Sequence, residues 1–167
     1  FNRRDLVFNL HELHHVNEVL QYPAFAQHDV ATCDAVVDAA YTLAQQQFLP
    51  HAAKSDANEP HFDGTRVHLI PEIQQALDAY IAGGFLAAPF PESEGGLGLP
   101  SLVCNAFGAF FCAANVSTIG YPFLTAGAAN LLRVYGTEAQ KARYMRHMVA
   151  GRFFGTMCLS EPSAGSS

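Results

Sequence analysis

Apolar residues recur along most of the chain at the three-to-four-residue spacing of helices with one buried face. The first run covers residues 5–20, with Leu6, Leu10, Leu13 and Leu20 on one stripe, and Tyr22-Pro23 closes it. A second, long helix is predicted over 30–49, turning Val36, Val37, Ala40, Leu43 and Ala44 inward, and Pro50 stops it. Residues 51–69 read as irregular, with turn signals at Asn58-Glu59-Pro60 and Asp63-Gly64. Pro71 suits the first turn of a third helix, where its missing N–H costs nothing; that helix carries Ile73, Leu77, Tyr80 and Ile81 and ends at Gly83-Gly84. Residues 85–99 form a loop. Pro100-Ser101 opens a fourth helix reaching about Val116, apolar on most faces and therefore expected at the centre. Another helix is predicted from Pro122 to Tyr135. Thr137-Glu138-Ala139-Gln140 has the form of a capping box and opens a final helix through Val149.

The character then changes. Arg152 to Ser160 is short, aromatic-rich and compatible with a β-strand, and Glu161 to Ser167 reads as a turn. A lone strand has no ladder partner for its backbone groups. Either partner strands lie beyond Ser167 or the segment is disordered, and the expectation is an incomplete chain: an all-α helical bundle ending in the first strand of a β-barrel-like domain. The absence of an initiator Met at Phe1 points the same way.

Composition adds three things. Only 14% of the residues are charged and 50% are hydrophobic, against about 25% charged in ordinary soluble domains. So charge-poor a surface is expected to be covered by more chain, another subunit, or both. The net charge of −6 and the lack of a basic stripe interleaved with aromatics exclude nucleic acid as the expected partner. Arg133, Lys141, Arg143, Arg146 and Arg152 do collect near the end, and read as a solvated helix face. No apolar stretch approaches the ~20 residues of a membrane span, and the N-terminus has no signal-peptide pattern. Cys33, Cys104, Cys112 and Cys158 show neither metal-site nor secreted spacing; buried reduced thiols in a reducing cytoplasm are the expectation.

Two patterns invite chemistry and fall short. His11-Glu12-Leu13-His14-His15 satisfies HExxH, which in a helix places His11 and His15 on one face for zinc. No third ligand follows at a usual spacing, since Glu18 lies too near, and a solvated His-rich face is the expectation. Gly95-Gly96-Leu97-Gly98 lacks the Lys-Ser/Thr of a phosphate loop and follows no strand, so a tight helix–helix connection is expected.

Three ordered signatures carry a family resemblance over residue 30 to the end. Gly155-Thr156-Met157-Cys158-Leu159-Ser160-Glu161-Pro162-Ser163-Ala164-Gly165-Ser166 resembles the T-E-P-x-A-G-S-D signature of acyl-CoA dehydrogenases. Pro91-Glu92-Ser93-Glu94-Gly95-Gly96-Leu97-Gly98 resembles the family's P-E-x-x-G-G-x-G loop, and Gly136-Thr137-Glu138-Ala139-Gln140-Lys141 its G-T-E-x-Q-K helix start. The leading stretch from Asp5 to Leu13, with Ala113-Ala114-Asn115 and Gly155 to Leu159, resembles the larger subgroup that includes methylthiopropionyl-CoA dehydrogenases. The implied domains are an extension helix at 1–28, the helical N-terminal domain at 29–150, and the start of an FAD-binding β-domain at 151–167.

The resemblance implies FAD-dependent oxidation of an acyl-CoA thioester to the trans-2-enoyl-CoA by the intact enzyme, with an electron-transferring flavoprotein as acceptor and a homo-oligomeric assembly. An acyl-CoA oxidase or flavin monooxygenase on the same fold would share every motif; a non-enzymatic helical module would leave residues 152–167 mobile and unpaired. The dehydrogenase reading instead predicts Phe153 to Ser160 extended and docked on the bundle. Met157 and Leu159 would present main-chain groups to the flavin. Ser160, where the family usually has Thr, would bond the pyrimidine edge and stabilise charge on the reduced ring. Gly165 would allow close approach or φ > 0, and Ser166 would meet flavin or thioester. Ser167 stands where Asp is common. Ile119, Gly120, Phe123 and Leu124 would line the acyl pocket, and the 95–98 loop would shape a wall beside it. The catalytic base, a glutamate, is expected beyond Ser167, so no catalytic residue is assigned in this chain.

Overall fold

Side chains that cap free backbone N–H groups fix where two of the long helices begin. In the computed structural model, which describes residues 2–163 and 165, the Asp29 carboxylate accepts from the Thr32 N–H at 2.7 Å. It opens α3 (Val30–Leu43), which runs on through a π-helical turn, Ala44–Phe48. Ahead of it lie α1 (Arg3–Phe8), prolonged by a π-helical turn at Asn9–Leu13, and α2 (Val16–Val19). After it come α4 (Ala52–Ala57), α5 (Pro71–Ala82), α6 (Ser101–Ala114), α7 (Val116–Tyr135), α8 (Glu138–Gln140) and α9 (Arg146–Val149). A π-helical turn at Lys141–Met145 joins α8 to α9. The all-α architecture agrees with the sequence pattern.

The core is built where α6 lies along α3, with α5 and the π-helical turn at Ala44–Phe48 closing one end. Phe111 is its hub: Phe48, Tyr80 and Phe85 surround it with centroids at 4.9, 4.8 and 5.4 Å, all edge-on. A smaller cluster of Phe90, Ala129, Met145 and Val149 seats α9 and the preceding π-helical turn on α7. The capping box forms as predicted: the Thr137 hydroxyl accepts from the Gln140 N–H at 3.3 Å, and the Gln140 side chain accepts from the Thr137 N–H at 2.8 Å. At the 85–99 loop, a Cβ on Gly96 would collide with the Phe90 carbonyl, so only glycine admits this close connection.

Five expectations need correction. The predicted first helix, 5–20, is broken at His15, whose φ of +46° is left-handed. Together with the π-helical turn this rotates the stripe, so that Val16 takes the buried place expected for Leu13, which is exposed. Residues 51–69 are not irregular throughout: α4 is followed by a two-stranded antiparallel hairpin, β1 (His61–Phe62) with β2 (Val67–His68), whose turn is tied by the Asp63 carboxylate. The helix predicted from Pro122 begins six residues earlier, because Asn115 rather than the proline is the cap; Pro122 is buried within the second turn. Residues 152–160 form no ladder among the described residues, as a strand with no available edge cannot. Two of the four free thiols, Cys112 and Cys158, are exposed rather than buried. Among the described residues no helix is long and apolar enough to cross a membrane.

Candidate functional site

A cleft of about 420 Å³ opens between α6 and α7, and small side chains make it. Ser101, Cys104, Asn105, Gly108 and Cys112 recur at helical spacing on one face of α6, leaving a trough. Ile119, Pro122, Phe123 and Ala126 of α7 form the opposite wall, and Tyr80, Phe85, Leu86 and Pro89 complete it. Burial grades the α7 wall: Ile119 is 6% exposed and Phe123 72%, which places one at the base and the other at the rim. Burial also pushes the Cys104 thiol up to about 12, so it is a neutral wall group at ordinary pH. The Tyr80 phenol is likewise raised by burial.

The expected pocket residues divide. Ile119 and Phe123, four apart, line the cleft; Gly120 and Leu124, each one position further round the helix, do not. The structure adds Tyr80, Cys104, Gly108 and Cys112. Their signal in the sequence is the periodic small residues of α6, which a reading for apolar stripes passes over.

The other face of α7 anchors the C-terminal arm. The Gly155 N–H donates to the Thr125 hydroxyl at 3.0 Å. A Cβ on Gly155 would stand 2.6 Å from that of Ala128, so the approach needs glycine. The His147 carbonyl accepts from the Arg152 and Phe153 N–H groups at 2.8 and 3.1 Å, and the two rings lie 4.8 Å apart. Beyond Gly155 the arm leaves the bundle: Met157 is 63% exposed, Leu159 59%, and Ser160 is exposed. Between Gly155 and Glu161 its main chain makes no hydrogen bond to another described residue. Glu161 and Gly165, the latter with φ +60°, then pair as an isolated antiparallel bridge. Ala164, Ser166 and Ser167 lie outside the described residues. The expected docking of Phe153 to Ser160 on the bundle is therefore corrected: the arm is docked only at its base, up to Gly155, and is open along residues 156–160, all of which are exposed.

The HExxH pattern does not assemble. His15 sits at the helix break, and His11 Nε2 instead meets Asp34 Oδ1 at 2.8 Å. No group of three metal-ligating side chains occurs among the described residues. In the basic cluster, Arg133 pairs with Glu94 at 3.0 Å and Lys141 with Glu138 at 3.0 Å.

Residues 31–152 match the model of the acyl-CoA dehydrogenase N-terminal domain, and the chain belongs to the acyl-CoA dehydrogenase family. It is 29% identical over 163 residues to the 3-methylmercaptopropionyl-CoA dehydrogenase of Ruegeria pomeroyi, covering 98% of this chain and 28% of that protein. It is 33% identical over 168 residues to a broad-specificity linear acyl-CoA dehydrogenase of Mycobacterium tuberculosis, covering 99% and 27%. Both similarities take in the segment ahead of residue 31. The chain thus spans little more than a quarter of these relatives. Among solved structures, a chain described as the electron transferring flavoprotein of Acidaminococcus fermentans shares the fold with a TM-score of 0.65 at 24% identity, over 80% of this chain and 32% of its own.

Proposed function

We propose that the protein bearing this chain oxidises an acyl-CoA thioester to the trans-2-enoyl-CoA. One observation carries the reading: a single helix, α7, presents an apolar cleft on one face and anchors the signature arm on the other. A cleft with apolar walls and a few polar groups suits an acyl chain. Ile119 would contact the chain's end and Phe123 its entrance, with Cys104 and Tyr80 kept neutral by burial.

The arm suits FAD. Main-chain groups of Met157 and Leu159, and the Ser160 hydroxyl, are free to bond the polar edge of a planar ring. Gly165 and Ser166 follow in the same signature. When bound there, FAD would supply the two-electron acceptor that oxidation of the acyl chain requires. No group in this chain is assigned the α-proton. Donors aimed at the ring edge would favour negative charge there.

An electron-transferring flavoprotein is the acceptor this chemistry calls for, and the free thiols fit a cytoplasmic setting. Val116, Leu131, Val134 and Tyr135 leave apolar surface exposed on α7. Such surface supports coverage by further protein, including other subunits.

The test is steady-state turnover of the full-length gene product with saturated acyl-CoAs and an artificial electron acceptor, with product mass read in parallel. Loss of two hydrogens without oxygen consumption is expected. Stoichiometric hydrogen peroxide would assign an oxidase instead, and no turnover of any acyl-CoA would overturn the reading.

A further inference from the structure

The two walls of the cleft meet at one residue. α6 ends at Ala114 and α7 starts at Val116, so Asn115 is the whole joint between them. This joint is held by a buried polar cluster. The Asn115 amide donates to the Phe48 carbonyl and to the Ser55 hydroxyl, both at 3.3 Å. Its side-chain oxygen accepts from the Thr118 N–H at 3.1 Å. The Thr118 hydroxyl meets His51 Nε2 at 2.9 Å, and Ser55 donates onward to the Ala52 carbonyl at 2.9 Å. All four side chains are buried, Thr118 completely.

Burying four polar side chains costs free energy unless each is satisfied, and apolar packing would fill the same space without that demand. What a satisfied network adds is a single geometry. Its bonds reach across 60 and 67 positions of sequence, from the segment after α3 to the first turn of α7. Thr118 is directly followed by Ile119, the buried residue at the base of the cleft. A shift of the first turn of α7 would move Ile119 first and change the spacing between the walls.

We infer that Thr118, held by His51 and Asn115, is a positioning residue that sets where the cleft ends and hence which acyl-chain lengths it accepts; the inference rests on the acyl-CoA reading above. It touches no substrate and acts through Ile119 and the α6–α7 joint.

The experiment compares full-length wild type, Thr118→Val and Thr118→Ser on a series of straight-chain saturated acyl-CoAs. Valine keeps the shape and removes the hydroxyl; serine keeps the hydroxyl. Thr118→Val is expected to change the ratio of kcat/KM between the longest and shortest accepted chains by about threefold or more, because pocket fit discriminates single methylenes by at least that much. The change should lie in KM, with kcat on the preferred substrate kept and the serine variant restoring the wild-type ratio. A lowered Tm with unchanged ratios would make the cluster merely structural and overturn the inference. Should the valine variant not fold, Ser55→Ala at the far end of the cluster is read in the same assay: a smaller shift of the ratio is expected, and none overturns the inference. A wild type inactive on every acyl-CoA overturns the functional reading, whereas an active wild type with unmoved variant ratios overturns this inference alone.

Discussion

The Gly155 N–H donates to the Thr125 hydroxyl, which itself donates to the Tyr121 carbonyl one turn back at 2.7 Å. One buried threonine on α7 thus fixes the point from which the signature arm departs. Thr125→Val removes both bonds and leaves the Gly155 N–H unpaired in a half-buried place, at a cost of about 1–3 kcal/mol. Gly155→Ala drives a methyl onto Ala128. Both variants of the full-length protein are expected to release flavin several-fold more readily than wild type, measured by absorbance of the filtrate after ultrafiltration. Unchanged flavin retention in both would separate the arm from the cofactor.

Metal removal should do nothing. His11 serves a part-buried contact with Asp34 at the surface, and surface ion pairs are worth about 0–1 kcal/mol. His11→Ala and prolonged chelation are each expected to leave acyl-CoA turnover at the wild-type rate. A loss of activity on chelation, restored by zinc, would contradict the assignment of HExxH as a chance pattern.

Alkaline pH should weaken the fold through Cys104. Burial raises its thiol from an ordinary value of 9.0 to about 12. Below pH 9.0 folded and unfolded chains both hold the proton, and the full stability is present. As pH rises towards about 12 the unfolded chain loses a proton that the folded chain keeps, so stability falls. Tyr80, raised in the same direction, steepens the upper part of the decline. Urea unfolding at pH values either side of 9.0 should show this loss, and Cys104→Ser should flatten it. An equal slope in the variant would sink the explanation.

The helices were legible because most obey one apolar period and are bounded by recognisable punctuation: Pro71, Gly83, and the capping box at Thr137. Departures arose where a backbone event overrides the period. The left-handed His15 turns the stripe so that Val16 replaces Leu13 in the core, and no local propensity announces it. The proline rule misplaced the start of α7, since Pro122 is accommodated inside the helix while Asn115 does the capping. In the cleft, Ile119 and Phe123 could be read from the family pattern. The small-residue trough of α6 is periodic in the sequence but is passed over by a reading for apolar stripes, whereas the cluster of His51, Ser55, Asn115 and Thr118 could not be read, because its members are scattered through sequence and converge only on folding.

The aromatic hub gives the simplest test of the core. Phe111 is fully buried among Phe48, Tyr80 and Phe85. Phe111→Ala should cost about 3–5 kcal/mol, the usual penalty for emptying such a site, read from denaturant midpoints at constant slope. A cost below about 1 kcal/mol would show that the site collapses freely.

The most direct measurement is an anaerobic titration of the full-length, flavin-loaded protein with a saturated acyl-CoA, following the visible bands of the bound flavin. The account predicts bleaching within the mixing time of the preferred chain length and formation of the trans-2-enoyl-CoA in step with flavin reduced. Bands that persist at saturating acyl-CoA, across every chain length tried, would contradict it.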